Sequence, residues 1–164
     1  MNSLNNKQTQ LEEKISKHIA RGNANRDEGK YDLAIEEFTE AISLDPNAPN
    51  AVPIYILRGI LYSRKDNYDQ AIADYTQVIK LSPSALGYRN RGHEYLKKGD
   101  TDQAIADYSA ALQLEPNNVQ AYLDRGLAYG AKGDFSRAVA EFEAVLRIEP
   151  NNLDARKLLK EVRR

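Results

Sequence analysis

His18 and His93 are the only two histidines of this chain, and neither has a second metal ligand at a useful spacing. The segment "RGHEYLKKGD" around His93 lacks the second histidine of a His-Glu-x-x-His zinc motif. Cysteine is absent, which excludes thiol catalysis, disulfides and cysteine-held metals. Serines and carboxylates are scattered, with no nucleophile beside a base. The glycine-containing segments do not follow strands, so they are not phosphate loops. These residues point away from an enzyme, a metal centre and a cofactor.

One charged constellation does recur. Arg-Gly pairs stand at Arg21-Gly22, Arg58-Gly59, Arg91-Gly92 and Arg125-Gly126, at intervals of 37, 33 and 34 residues. Sixteen residues after each arginine comes an acid: Glu37, Asp74, Asp107 and Glu141. If the chain doubles back between them, each acid returns to the height of its arginine. Four Arg–carboxylate bridges would then fix helix register along the chain. The acid of the preceding repeat is an alternative partner. Arginines presented to an acidic ligand are the functional alternative. The constant offset favours structural pairs.

The elements that must place these residues follow from a second marker. Prolines close "LDP" (Pro46), "LSP" (Pro83), "LEP" (Pro116) and "IEP" (Pro150), again 37, 33 and 34 residues apart. A fixed period of this size signals stacked structural units. Within each unit a helical stretch follows the Arg-Gly pair, then "EGKY", "KDNY", "KGDT" or "KGDF". Gly29, Gly99 and Gly133 suit a turn needing positive φ, with Asp66 in the second unit as the weaker substitute. A second helix follows, with apolar residues at steps of three and four, as in Ala71, Ile72, Tyr75, Val78 and Ile79. Proline ends that helix. No segment alternates with period two, so the expected class is all-α.

These positions resemble the tetratricopeptide repeat over about residues 15–150. With each proline as repeat position 32, glycine fills position 8 and alanine position 20 (Ala34, Ala71, Ala104, Ala138). Aromatics fill position 24 (Phe38, Tyr75, Tyr108, Phe142). Tyrosine fills positions 4 and 11 in three repeats, but His18 and Asn25 stand there in the first. Glycine facing alanine would let two helices of a hairpin approach closely, and the aromatics would fill the space between hairpins. The resemblance implies an α-solenoid of antiparallel helix hairpins stacked as a right-handed superhelix. The organisation expected is a polar N-terminal extension over 1–10, repeats over 11–48, 52–84, 85–118 and 119–152, and a capping helix over 153–164. In that cap Leu158, Leu159 and Val162 would pack inward, with Arg156, Lys157, Lys160, Arg163 and Arg164 in water.

The resemblance also implies where a partner lies, because first helices line the concave face in this family. The groove residues would be Ile19, Asn23, Ile56, Ile60, Arg64, Arg89, Asn90, His93, Lys97, Leu123, Asp124 and Leu127. That gives apolar patches at Ile56/Ile60 and Leu123/Leu127, with Arg89, Asn90, His93 and Lys97 as a basic and polar centre. A peptide or protein segment with apolar anchors and an acidic residue is the expected ligand. Some family members clamp the acidic tails of heat-shock chaperones; here Asn23 matches that clamp, but Ile19, Leu57, Leu86 and Asn90 do not.

A net charge of −1 argues against nucleic acid as partner. No apolar run approaches the ~18 residues that cross a bilayer, so no membrane partner is expected. The N-terminal "MNSLNNKQTQLEEK" has no apolar signal segment, which favours the cytoplasm. The leading expectation is a non-enzymatic interaction scaffold, with a self-associating homo-oligomeric unit as the alternative.

Overall fold

A computed structural model of the chain describes residues 2–47 and 50–163. Met1 of the expected extension, Ala48 of the first repeat and Arg164 of the expected cap lie outside them. Nine α-helices and no strand occur among the described residues. The chain divides into two compact units, residues 1–82 and 83–164.

The first unit holds α1 (Asn2–Asp27), α2 (Tyr31–Leu44), α3 (Ala51–Arg64) and α4 (Tyr68–Leu81). Helices α1 and α2 form one hairpin, α3 and α4 the next, and α2 packs on α3. Ala34, Phe38, Ile54, Leu61, Ala71, Tyr75 and Val78 form the buried core. The extension expected over 1–10 is instead helical from Asn2, as the first turns of α1. Leu11 and Ile15 pack on the core and anchor this helix. Once a helix is nucleated, each further residue adds a hydrogen bond, so the polar turns propagate outward. A Gln8 Nε2 to Glu12 Oε1 bond of 3.2 Å supports them.

The second unit holds α5 (Ala85–Lys98), α6 (Thr101–Leu114), α7 (Val119–Ala131), α8 (Phe135–Ile148) and α9 (Leu153–Val162). Pairs α5–α6 and α7–α8 are hairpins, α6 packs on α7, and α9 packs on α8. Ala155 and Leu159 of α9 are buried with Ala138, Phe142 and Val145 of α8, and Leu158 and Val162 pack beside them. Arg156, Lys157, Lys160 and Arg163 are exposed.

Local chemistry explains the boundaries. The residues before the four prolines are all extended: Asp45 at φ −155° and ψ 86°, Ser82 at −150° and 87°, Glu115 at −131° and 84°, Glu149 at −126° and 86°. Proline excludes the helical region from the residue before it, so each second helix stops there. Ser84, Asn118 and Asn152 then cap the next first helices by accepting from the amides of Gly87, Ala121 and Ala155. Between the helices of each hairpin, Gly29, Asp66, Gly99 and Gly133 all have positive φ.

The close approach within each hairpin has a different cause from the one expected. Ala34, Ala71, Ala104 and Ala138 are fully buried. The partner that requires glycine at position 8, however, is the aromatic ring at position 24. A Cβ on Gly22 would lie 2.5 Å from Phe38 Cε1, on Gly92 2.7 Å from Tyr108 Cε1, and on Gly126 2.5 Å from Phe142 Cε1. The ring of the second helix occupies the space that a side chain on the first would need.

Candidate functional site

The recurrent arginines are placed first, because the first helices carry both them and the expected groove. In the second repeat Arg58 donates through Nε to Asp74 Oδ2 at 3.0 Å and through Nη2 to Oδ1 at 2.7 Å. Arg91 makes the same fork with Asp107, at 2.8 and 2.7 Å. Arg125 reaches Glu141 through Nη2 alone, at 2.9 and 3.0 Å. The longer glutamate brings both oxygens to one nitrogen, and Arg125 Nε stays buried without a partner. Each bridge lies within one hairpin, sixteen residues apart. The guanidinium also reaches the preceding hairpin, with Arg58 Nη1 on Thr39 Oγ1 and Arg125 Nη1 on Ser109 Oγ, both at 2.9 Å.

The first repeat differs. Arg21 is 3.9 Å from Glu37 and its side chain is 54% exposed. Glu37 instead meets His18 Nδ1 at 2.7 Å. The cause lies at positions 4 and 11. Arg58 lies over the rings of Tyr55 and Tyr62, and Arg91 over those of Tyr88 and Tyr95, at 5.7–5.9 Å. His18 and Asn25 leave Arg21 without those walls. In the second repeat, burial pushes the Asp74 carboxyl above its usual range, against the opposing pull of Arg58. Desolvation therefore cancels much of the Coulombic gain, as expected for a buried pair.

The residues expected in the groove separate into several groups. Ile19 and Ile56 are half-buried against the first unit's core. Asn23 and Asn90 are half-buried. Ile60 is exposed and, with Arg26, Asp27, Tyr31, Leu57, Leu61 and Arg64, lines a pocket of about 340 Å³. Arg64 is turned onto α2, where Nη1 donates to Tyr31 Oη at 3.0 Å.

In the second unit the expected basic centre is already neutralised. Arg89 Nε donates to Asp124 Oδ2 at 2.9 Å, and His93 Nε2 lies 2.9 Å from the same oxygen. Burial raises the Asp124 carboxyl, but bonds and charge from His93 and Arg89 outweigh it and hold the pKa below the usual range. Lys97 Nζ lies 3.2 Å from Glu94 Oε1, and Glu94 is buried. Arg89 therefore ties α5 to α7 through its Nε.

Leu123 is also corrected. It is buried with Phe142, Val145 and Leu159, whereas Leu127 is 45% exposed. Four residues advance a helix about 40° beyond one turn. That is enough to put Leu123 under α8 and α9 while Leu127 stays at the surface. The apolar patch expected at Leu123/Leu127 is Leu127 alone.

Leu127 stands at a pocket of about 240 Å³, lined also by His93, Leu96, Lys97, Tyr108 and Asp124. Leu96 and Tyr108 were not foreseen as site residues. Tyr108 is fully buried and its hydroxyl has no hydrogen-bond partner. Burial pushes that phenol well above its ordinary pKa. No sequence signal set Tyr108 apart, because position 24 is tyrosine in two repeats (Tyr75, Tyr108) and phenylalanine in two (Phe38, Phe142).

No cluster of three metal-ligating side chains occurs among the described residues. No helix among them is long and apolar enough to cross a membrane.

Comparison with known proteins gives a consistent picture. A family model described as TPR repeat matches residues 22–66 and 92–133, just over half the chain. Two tetratricopeptide repeat models match residues 52–84 and 119–152. No curated protein matches the sequence. Among solved structures, the MamA protein is 23% identical with a TM-score of 0.81, covering 92% of this chain and 81% of that one. A tetratricopeptide repeat protein from Parabacteroides merdae is 22% identical with a TM-score of 0.84, covering 92% of this chain and 60% of that one. The second TPR domain of the human RPAP3 protein, solved in complex with the HSP70 peptide SGPTIEEVD, is 30% identical. Its TM-score is 0.65, over 71% of this chain and 99% of that one.

Proposed function

Since this chain belongs to the tetratricopeptide repeat family, we propose that it is a non-enzymatic interaction module that holds a peptide or protein segment on its first helices. One observation carries this reading. In each unit a first helix leaves an apolar side chain exposed at a pocket: Ile60 of α3 and Leu127 of α7. The polar groups around them already have partners within the chain: Arg64 with Tyr31, and Arg89 and His93 with Asp124. What is left for a partner is apolar surface at a concave site.

The ligand we infer is therefore a segment read mainly by apolar anchors. The acidic residue expected opposite Arg89 is not required, because Asp124 already holds that arginine. This sets the chain apart from clamps for acidic tails, whose basic residues must be available to the ligand.

The test is selection from a random peptide library, followed by titration of the selected peptides. The wild type should bind them, and Ile60→Glu with Leu127→Glu should weaken binding at least about tenfold with helicity unchanged. Equal binding by both proteins would remove the groove from the reading. A second reading, self-association, has its own support. Phe135 and Leu153 are 57% and 76% exposed, large apolar side chains on α8 and α9. Sedimentation equilibrium that gives the monomer mass at high concentration would dispose of it.

A further inference from the structure

We propose that the pocket walled by α1, α2 and α3 is a subsite for an acidic side chain of a bound peptide, seated beside an aliphatic anchor of the same peptide. The inference rests on the groove reading above and adds one charge to it.

Arg64 is the first ground. It is exposed and lines the pocket of about 340 Å³ together with Ile60, one turn earlier on α3. Its guanidinium lies over the Tyr31 ring, 5.7 Å from the centroid, and Nη1 donates to Tyr31 Oη at 3.0 Å. A hydroxyl accepts a hydrogen bond but brings no opposing charge. No carboxylate among the described residues pairs with Arg64. The other cation of the pocket is matched, because Arg26 donates through Nε and Nη2 to Asp27 Oδ1 at 3.0 and 2.9 Å. The charges next to these residues in the chain are matched too, Glu28 by Lys30 and Lys65 by Asp32. The pocket therefore carries one net positive charge, and it is on Arg64. A planar guanidinium held against an aromatic ring suits a carboxylate.

The walls are the second ground. Leu57 is half-buried, Leu61 is buried and Ile60 is 38% exposed. The α3 side of the pocket is thus apolar up to Arg64. Residues four apart on a helix have Cβ atoms about 5–6 Å apart. An aliphatic residue and an acid two positions apart in an extended peptide stand on one face at about 6–7 Å. Such a pair can lay its apolar member on Ile60 and its carboxylate at Arg64. Arg64 also lies in the last turn of α3, where its charge suits the helix dipole. That role needs no ligand and predicts no preference for an acid.

The probes are acetyl-Leu-Ala-Glu-amide and acetyl-Leu-Ala-Gln-amide, which differ in one side-chain charge and have both ends blocked. Each is titrated into the full chain, with the Leu57 and Ile60 methyl groups observed by NMR. In the wild type both should shift those methyls, and the Glu peptide should bind about two- to fivefold tighter at low salt. Raising the salt to about 0.5 M should shrink that preference. Arg64→Gln, an exchange at an exposed position, should erase the preference and leave the Gln peptide unchanged. Equal binding of the two peptides by the wild type would overturn the proposal, as would a preference that survives Arg64→Gln. Acetyl-Ala-Leu with a free carboxylate is the rival source of charge, and tighter binding of it than of the Glu peptide would also overturn the proposal. The Gln peptide separates the subsite from the groove. If Ile60→Glu weakens it while the wild type shows no preference for Glu, the groove stands and the subsite falls. If Ile60→Glu leaves it unchanged, or neither peptide moves the methyls, both fall.

Discussion

Replacing Asp107 by Asn tests whether the arginine forks are structural. The change keeps volume and hydrogen-bonding shape and removes one charge. Asp107 is 8% exposed and Arg91 19%, so the guanidinium would remain between Tyr88 and Tyr95 with little water to replace its partner. Breaking a fully buried pair costs about 3–5 kcal/mol, and the residual exposure of Arg91 lowers that to about 2–3 kcal/mol. For a chain of this length each kcal/mol moves the melting temperature by about 2–4 °C, so the expected loss is about 4–12 °C. Glu37→Gln, at the same repeat position, is the internal control. There Arg21 is half in water at 3.9 Å, and a glutamine can keep the 2.7 Å contact with the partly exposed His18, so the change should cost about 0–1 kcal/mol. Thermal unfolding of both variants by circular dichroism decides the matter. If Asp107→Asn melts with the wild type, or no lower than Glu37→Gln, the forks do not hold the hairpins and the reasoning fails. Replacing both partners with Arg91→Met and Asp107→Leu should lose less than Asp107→Asn alone, because no buried charge is left uncompensated.

Gly22→Ala should destabilise by about 1–3 kcal/mol in chemical denaturation, because the added methyl strikes the fully buried Phe38 ring. Gly130→Ala, in α7 with no atom within 4 Å of the new methyl, should stabilise by about 0.5–1 kcal/mol. Leu159→Ala should cost about 2–4 kcal/mol and speed hydrogen exchange in α9, because Leu159 packs into the core it shares with α8. Asp124 has its pKa lowered by folding, so its stabilising contribution is full above the unfolded carboxylate value near about 4 and is lost as pH falls through the folded value. The stability gap between wild type and Asp124→Asn should accordingly close below about pH 4, and a gap that persists undiminished at still lower pH would contradict the Arg89–Asp124–His93 assignment.

The fold was legible because its determinants repeat. Each proline, turn glycine, position-20 alanine and position-24 ring is set by packing that every hairpin shares, so four imperfect copies reinforce one pattern. The offset of sixteen between Arg58 and Asp74 has the same origin, since it measures one hairpin. Gaps opened where a residue's surroundings are not repeated. His18 and Asn25 withdraw the aromatic walls from Arg21, so one arginine of the four behaves as a surface cation. Residues 6–10 are all polar, and the packing of Leu11 and Ile15 in the folded chain anchors the helix that runs through them.

The site was less legible for a related reason. A repeat position predicts which way a side chain leaves its helix, but what it meets depends on the neighbouring repeat. Leu123 and Leu127 both leave α7 toward the expected groove face, and about 40° of rotation between them decides that α8 and α9 cover the first and not the second. Arg89 looks available in its own repeat, and Asp124, thirty-five residues on, is what holds it. Contacts between neighbouring hairpins, more than the repeat pattern itself, therefore decide which of these side chains stay open at the surface.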